Sequence, residues 1–175
     1  MKQKITILFF TGIIGLVFNS CEKNNLDSVK GNVEFFLLES YETIGNSCQI
    51  DESTVITKAE PLISYADLIS YNPDHHVFEL SSEAKAAIQN IHHTVFGNAF
   101  AIKADNILIY TGYFWPGYSS LGCNWVTIDP LMIGLDNAIE VKLGYPGTIQ
   151  GQEFEDRRND QRILNIFKRD HKLED

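Results

Sequence analysis

Three cysteines, five histidines and one dense aromatic run are the parts of this 175-residue chain whose types could do chemistry. Cys21 closes an apolar leader, and Cys48 and Cys123 remain as a pair in the rest of the chain. In an oxidising compartment an even pair reads as a disulfide, with two separately buried thiols as the alternative. Neither sits in a Cys-x-x-Cys motif or beside a histidine, so neither reads as a redox or nucleophilic centre. Four of the five histidines form the adjacent pairs His75-His76 and His92-His93. Neighbours on a helix diverge by about 100°, and neighbours on a strand point to opposite faces. Each pair could therefore give at most one imidazole to a common metal site. Asp105 and Asp129 fall at turns, where aspartate serves local hydrogen bonding. No carboxylate spacing marks a glycosidase pair, Ser119-Ser120 lacks the Gly-x-Ser-x-Gly elbow, and the glycines form no phosphate loop. No catalytic residue, metal ligand or cofactor is expected.

The aromatic run is Tyr113-Phe114-Trp115-Pro116-Gly117-Tyr118. Alternate residues of a strand cannot all face one core, so Tyr113, Trp115 and Tyr118 are the expected contact residues of a recognition loop beside the Pro-Gly turn. Aromatic anchors dominate interfaces, which motivates that expectation. The alternative is that the rings fold back over the end of the sheet as a satellite core.

The elements that must position these residues follow from pattern. Residues 32–39 are dense in Val, Phe and Leu and predict a first strand, followed by a loop over 40–51. Short strands are expected at 54–57 and 62–65, separated by Glu60-Pro61, and one helical turn at 66–71. A strand at 76–80 leads into a helix capped by Ser81, with Ala84, Ala87, Ile88 and Ile91 on one stripe. Residues 99–104 and 107–113 predict a hairpin turning at Asp105-Asn106. Further strands are expected at 125–128 and 138–143, a loop at 145–152, and a C-terminal helix over 156–169 with Ile163, Ile166 and Phe167 as its apolar face. Strands interspersed with two principal helices predict one α+β domain, 32–175, with a mainly antiparallel sheet.

The N-terminus supplies an address. Lys2 and Lys4 precede an apolar run over residues 5–18, too short to span a bilayer and suited to a signal peptide. Asn19-Ser20-Cys21 follows. This resembles a bacterial lipoprotein signal, with Phe18 where the pattern has Leu or another aliphatic residue. The resemblance implies a signal peptide over 1–20 and lipidation (palmitate) of Cys21 as the new N-terminus. One acyl chain anchors marginally and two or more hold stably. Residues 21–31, polar and without periodicity, read as a tether, and their Lys and acids look like those of lipoproteins of Bacteroidota. Without the leader the chain carries 12 basic against 23 acidic residues, a net −11. That excess disfavours nucleic acid as a partner.

A second resemblance covers residues 77–128. Phe78-Glu79-Leu80, the helix from Ser82, the run Phe100 to Asn106, the strand 107–111 and Ser119-Ser120 are similar to the periplasmic head subdomain of SecD in the protein-export apparatus. It implies a shared arrangement of elements; the membrane helices of the motor are missing, so motor activity is not implied. The expected function is a lipid-anchored cell-envelope protein, on the periplasmic face or the cell surface. It would be a non-catalytic binding or structural module with an envelope protein as partner. The alternative is an envelope hydrolase using His76 or His92 with a turn aspartate.

Overall fold

A computed structural model of the chain describes residues 29–148 and 155–174. Cys21, the leader 1–20 and most of the expected tether lie outside the described residues, as does the end of the loop expected at 145–152. Among the described residues, nine strands form two sheets. The larger has the order β2-β1-β5-β6-β7-β9. Its members are β1 Val33–Thr43, β2 Ile50–Thr57, β5 Asn98–Ala104, β6 Ile107–Phe114, β7 Cys123–Ile128 and β9 Lys142–Tyr145. The smaller has the order β3-β4-β8, from β3 Leu68–Asn72, β4 Val77–Leu80 and β8 Ala138–Glu140. Neighbours are antiparallel throughout, except β6 and β7, which run parallel and pair at Tyr113–Thr127 and Phe114–Ile128. The principal helices are α1 Ser82–Gln89 and α3 Gln161–Arg169, with a single turn, α2 Ile133–Asp136, between them in the chain. The fold is α+β in one domain with a mainly antiparallel sheet. Residues 77–128 supply β4, α1 and β5 to β7, divided between the two sheets.

One core lies between the sheets and under the helices. Phe35 meets Phe78 edge-on at 5.3 Å between ring centroids, Phe78 stacks on Tyr71 at 4.3 Å, and Phe167 of α3 lies 5.7 Å from Phe78. Each fully buried side chain of this size contributes about 1.5–3 kcal/mol. The helices are fixed by caps that the sequence announces. Ser81 Oγ accepts from Ala84 N at 3.1 Å, and the Asp160 carboxylate accepts from Arg162 N at 2.9 Å. Because Asp160 is the cap, α3 begins five residues later than the expected start at 156, and residues 155–160 become a polar strap.

Other elements differ from expectation for physical reasons. The loop expected at 40–51 is the far half of a β1–β2 hairpin; its side chains are mostly exposed, so no apolar alternation marks it. The helical turn expected at 66–71 is a 3-10 turn, Tyr65–Asp67, followed by β3, whose bulge after Leu68 masks the alternation. The strand expected at 138–143 breaks at Val141. β8 pairs with β4 in the small sheet, and β9 pairs with β7 in the large one. Buried Val141 makes the crossing and donates its N–H to His76 O at 2.9 Å.

The large sheet has two distinct ends. At one end β5 and β6 turn at Asp105 and Asn106, both at positive φ (52° and 61°), as a two-residue hairpin requires. The described chain begins beside this turn. Gly31, at φ 82°, lies so close to Asp105 that a Cβ there would overlap it. Arg169 Nη1 holds the Gly31 carbonyl at 3.0 Å. The other end carries the start of β5 and the ends of β6 and β7.

Candidate functional site

The β1–β2 hairpin decides which aromatic residues are available. Two register shifts, between Leu38 and Ser40 and between Ser40 and Glu42, bend β1. Its far half then packs over the outer face of β5, β6 and β7. Tyr41 meets Tyr113 edge-on at 6.0 Å. Ile50 joins Ala99, Tyr113, Trp115, Cys123 and Trp125 in a second buried cluster. A disulfide between Cys48 and Cys123, with Cα atoms 5.7 Å apart, pins the hairpin tip to the start of β7. The bridge is the first of the two cysteine alternatives.

Under this cover Tyr113 is 3% and Trp115 4% exposed, so of the three expected contact residues only Tyr118, 55% exposed, stands at the surface. Tyr113 and Trp115 form the satellite core instead. Trp115 Nε1 donates to Leu121 O at 3.3 Å.

Tyr118 has company that the sequence did not announce. Its hydroxyl lies 3.4 Å from His93 O, and Ser119 Oγ donates to Val95 O at 2.7 Å. These bonds tie residues 115–122 to residues 93–97. The Asp129 carboxylate accepts from Gly117 N at 3.1 Å and from Leu131 N at 3.0 Å, joining a third loop. Together the loops expose Val95, Phe96, Tyr118, Leu121, Leu131 and Met132, with Phe96 68% exposed. Residues 93–97 and 115–122 contain no Asp, Glu, Lys or Arg. This apolar end lies opposite the Asp105-Asn106 turn. The seven residues of β5 separate the two, about 20 Å at the usual strand rise.

The histidines do not converge with the turn acids. His75 and His92 are exposed. His93 Nε2 lies 3.0 Å from Ile88 O, at the end of α1. His76 sits at φ 53° with Nδ1 3.4 Å from Tyr71 Oη. The same phenol lies 2.7 Å from Asn159 Oδ1 and 3.0 Å from Arg158 O. Burial lowers the His76 pKa below its usual value, and the Arg158 guanidinium adds to this. Arg158 is itself held by Asp156, at 2.9 Å and 2.7 Å, and by Val141 O. No hydrogen bond joins a histidine ring to a carboxylate among the described residues, and none of their His, Cys, Asp and Glu groups could hold a metal ion. This cluster fastens the strap to β3.

Residues outside every sequence motif meet beside the disulfide. Trp125 Nε1 donates to Thr111 Oγ1 at 3.0 Å. The Thr111 hydroxyl and backbone N–H both reach Glu52 Oε1, at 3.2 Å and 3.1 Å. Arg157 Nη2 meets Glu52 Oε2 at 2.5 Å. Every partner of Glu52 is a donor, so the carboxylate is fixed as an acceptor. Glu52 and Arg157 are 105 residues apart in the chain, and no local pattern signals their pairing.

Comparison of the chain with protein-family models, with curated proteins and with solved structures gave no match in any of the three.

Proposed function

We propose that the protein is a lipid-anchored component of a bacterial cell envelope, a non-catalytic binding module held to a membrane through Cys21. Its apolar loop end contacts an envelope protein. The observation that carries this reading is the opposition of the two ends of the sheet. The described chain begins, only eight residues after Cys21, beside the Asp105-Asn106 turn, while the exposed apolar loops lie at the far end. A lipid on Cys21 would therefore put the turn toward the membrane and the loops away from it. No helix among the described residues is long and apolar enough to cross a membrane. Clustered exposed apolar side chains mark interaction sites rather than ordinary surface. A protein suits this end better than a bilayer, because the net −11 of the chain without its leader is repelled by anionic lipid. The fitting partner presents an apolar contact surface with neutral or basic surroundings.

Both halves are testable. Radioactive palmitate is expected to label the wild-type chain and not Cys21→Ser; labelling of Cys21→Ser would remove the anchor assignment. The double variant Phe96→Ser/Tyr118→Ser is expected to keep the label and to change stability by less than about 0.5 kcal/mol, as exposed sites do. It should also lose the protein that co-isolates with the wild type. Undiminished co-isolation would place the contact elsewhere.

A further inference from the structure

The end of the sheet that carries the β5–β6 turn has a cleft of about 230 Å3, far from the apolar loops. Val29 and Lys30 line it from the first described residues, Asp105 and Ile107 from the turn and the start of β6, and Arg162 and Asn165 from α3. Its three walls are tied together. Arg169 Nη1 donates to Val29 O at 3.3 Å and to Gly31 O at 3.0 Å, which fastens the chain start to α3. The close approach of Gly31 to Asp105 fastens it to the turn. The polar groups keep unused capacity. Asp160 takes Nε and Nη2 of Arg162, at 2.8 Å and 2.7 Å, and Asn165 Oδ1 accepts from Gln161 at 2.7 Å. Arg162 Nη1, Asn165 Nδ2, the Lys30 ammonium and the Asp105 carboxylate make no hydrogen bond or ion pair among the described residues.

We infer that this cleft holds the headgroup of a membrane phospholipid that carries both a phosphate and a primary ammonium, phosphatidylethanolamine. The inference rests on the anchored reading, because a lipid on Cys21 is what brings the cleft to a bilayer: Val29, in its wall, stands eight residues after Cys21. Charge selects the headgroup. Lys30, Arg162 Nη1 and Asn165 Nδ2 are donors only, the first two cationic, and such a set matches phosphate oxygens. The Asp105 carboxylate is an acceptor only and matches an ammonium. Arg162 is already paired with Asp160, so the unpaired charges are one positive, Lys30, and one negative, Asp105. They line one cleft without meeting each other. A ligand with one charge of each sign satisfies both, whereas a simple anion faces Asp105 and a simple cation faces Lys30. A zwitterion also escapes the repulsion that the acidic chain exerts on anionic lipid. Ile107, 50% exposed, offers apolar surface to the carbons next to the headgroup. The volume lies below the range of sites that enclose a whole ligand, about 300 Å3 upward, so the cleft takes the headgroup and leaves the acyl chains in the bilayer.

The test is an NMR titration of the full-length protein in uncharged maltoside micelles, read at the Asn165 side-chain amide. The probes are short-chain dihexanoyl phosphatidylethanolamine, the anionic dihexanoyl phosphatidylglycerol, and free phosphoethanolamine. A saturable shift with phosphatidylethanolamine is expected, with an affinity about tenfold or more above that for either of the others. Lys30→Gln should weaken binding of both lipids. Asp105→Asn is the decisive variant, because asparagine tolerates the positive φ of the turn and removes only the charge. It should erase the preference, so that the two lipids bind alike. No shift with phosphatidylethanolamine would overturn the inference, as would equal affinity of the wild type for the two lipids or a preference that survives Asp105→Asn. Free phosphoethanolamine binding as tightly as the lipid would overturn the membrane as the source. The titration uses dissolved lipid and needs no anchor. Its failure therefore leaves palmitate labelling of Cys21 to stand or fall separately, and labelling that failed would leave the headgroup affinity measurable.

Discussion

His76 is held in the left-handed region, half-buried against Tyr71, with Arg158, Asp156, Asn159 and Glu140 as its polar and charged surroundings. Its lowered pKa has a consequence for stability. Below the unfolded value of about 6.5 the unfolded chain binds a proton that the folded chain resists, so stability falls as pH falls. A second group acts at lower pH. Asp67 is held below the usual carboxylate range by the Ser64 and Ser81 hydroxyls, Asp156 by Arg158, Asp160 by Arg162, and Asp170 by Arg169, the last to about 2. Their contribution is complete above about pH 4 and is lost as pH falls through the folded-state values. Urea midpoints should therefore decline gently below about pH 6.5 and more steeply below about pH 4. Asparagine tolerates positive φ, so His76→Asn should remove the upper decline and leave the lower. An unchanged upper decline in that variant would show that His76 is not its source. At this scale the sequence was legible where a residue acts on its own neighbours, as Ser81 does at its helix and Asp105 and Asn106 at their turn. It was silent where partners are far apart in the chain, as with Glu52 and Arg157.

The β1–β2 hairpin and its disulfide are the element on which the aromatic assignments turn. Joining residues 75 apart removes about 4–5 kcal/mol of loop-closure freedom from the unfolded chain on the chain-entropy model. The same bridge holds the hairpin over Trp115 and Trp125. In Cys48→Ser, stability should fall by several kcal/mol and tryptophan emission should shift to the red as the hairpin lifts from β6 and β7. Emission identical to the wild type at a temperature where the variant is folded would mean that the hairpin stays down without its staple. This element also explains the aromatic residues that the sequence misassigned. The alternation of 107–114 is readable as a strand with two covered faces or with one. Only the bend of β1 at Ser40, a register effect with no compositional mark, decides that Tyr113 and Trp115 lie beneath a hairpin while Tyr118 stays outside. The break at Val141 escaped for a similar reason, since one alternating run serves two sheets and only the pairing partners reveal the switch.

The whole molecule has two ends of different character. Fold class, the two principal helices and the central hairpin were legible because they rest on periodicity and caps. The apolar end was legible only in part, through Tyr118, because Val95, Phe96, Leu121, Leu131 and Met132 are scattered over three loops that the fold alone assembles. Lipidation at Cys21 would give the two ends different neighbours, a bilayer at one and a protein at the other. The most direct measurement of that polarity is photo-crosslinking in living cells from single sites. A photoreactive residue would stand at position 96 or 118 on the apolar end, or at position 107 beside the β5–β6 turn, where Ile107 is half exposed. The expected result is the same protein adduct from 96 and from 118, absent from 107. A protein adduct from 107, with none from 96 or 118, would contradict the proposed orientation and contact surface together.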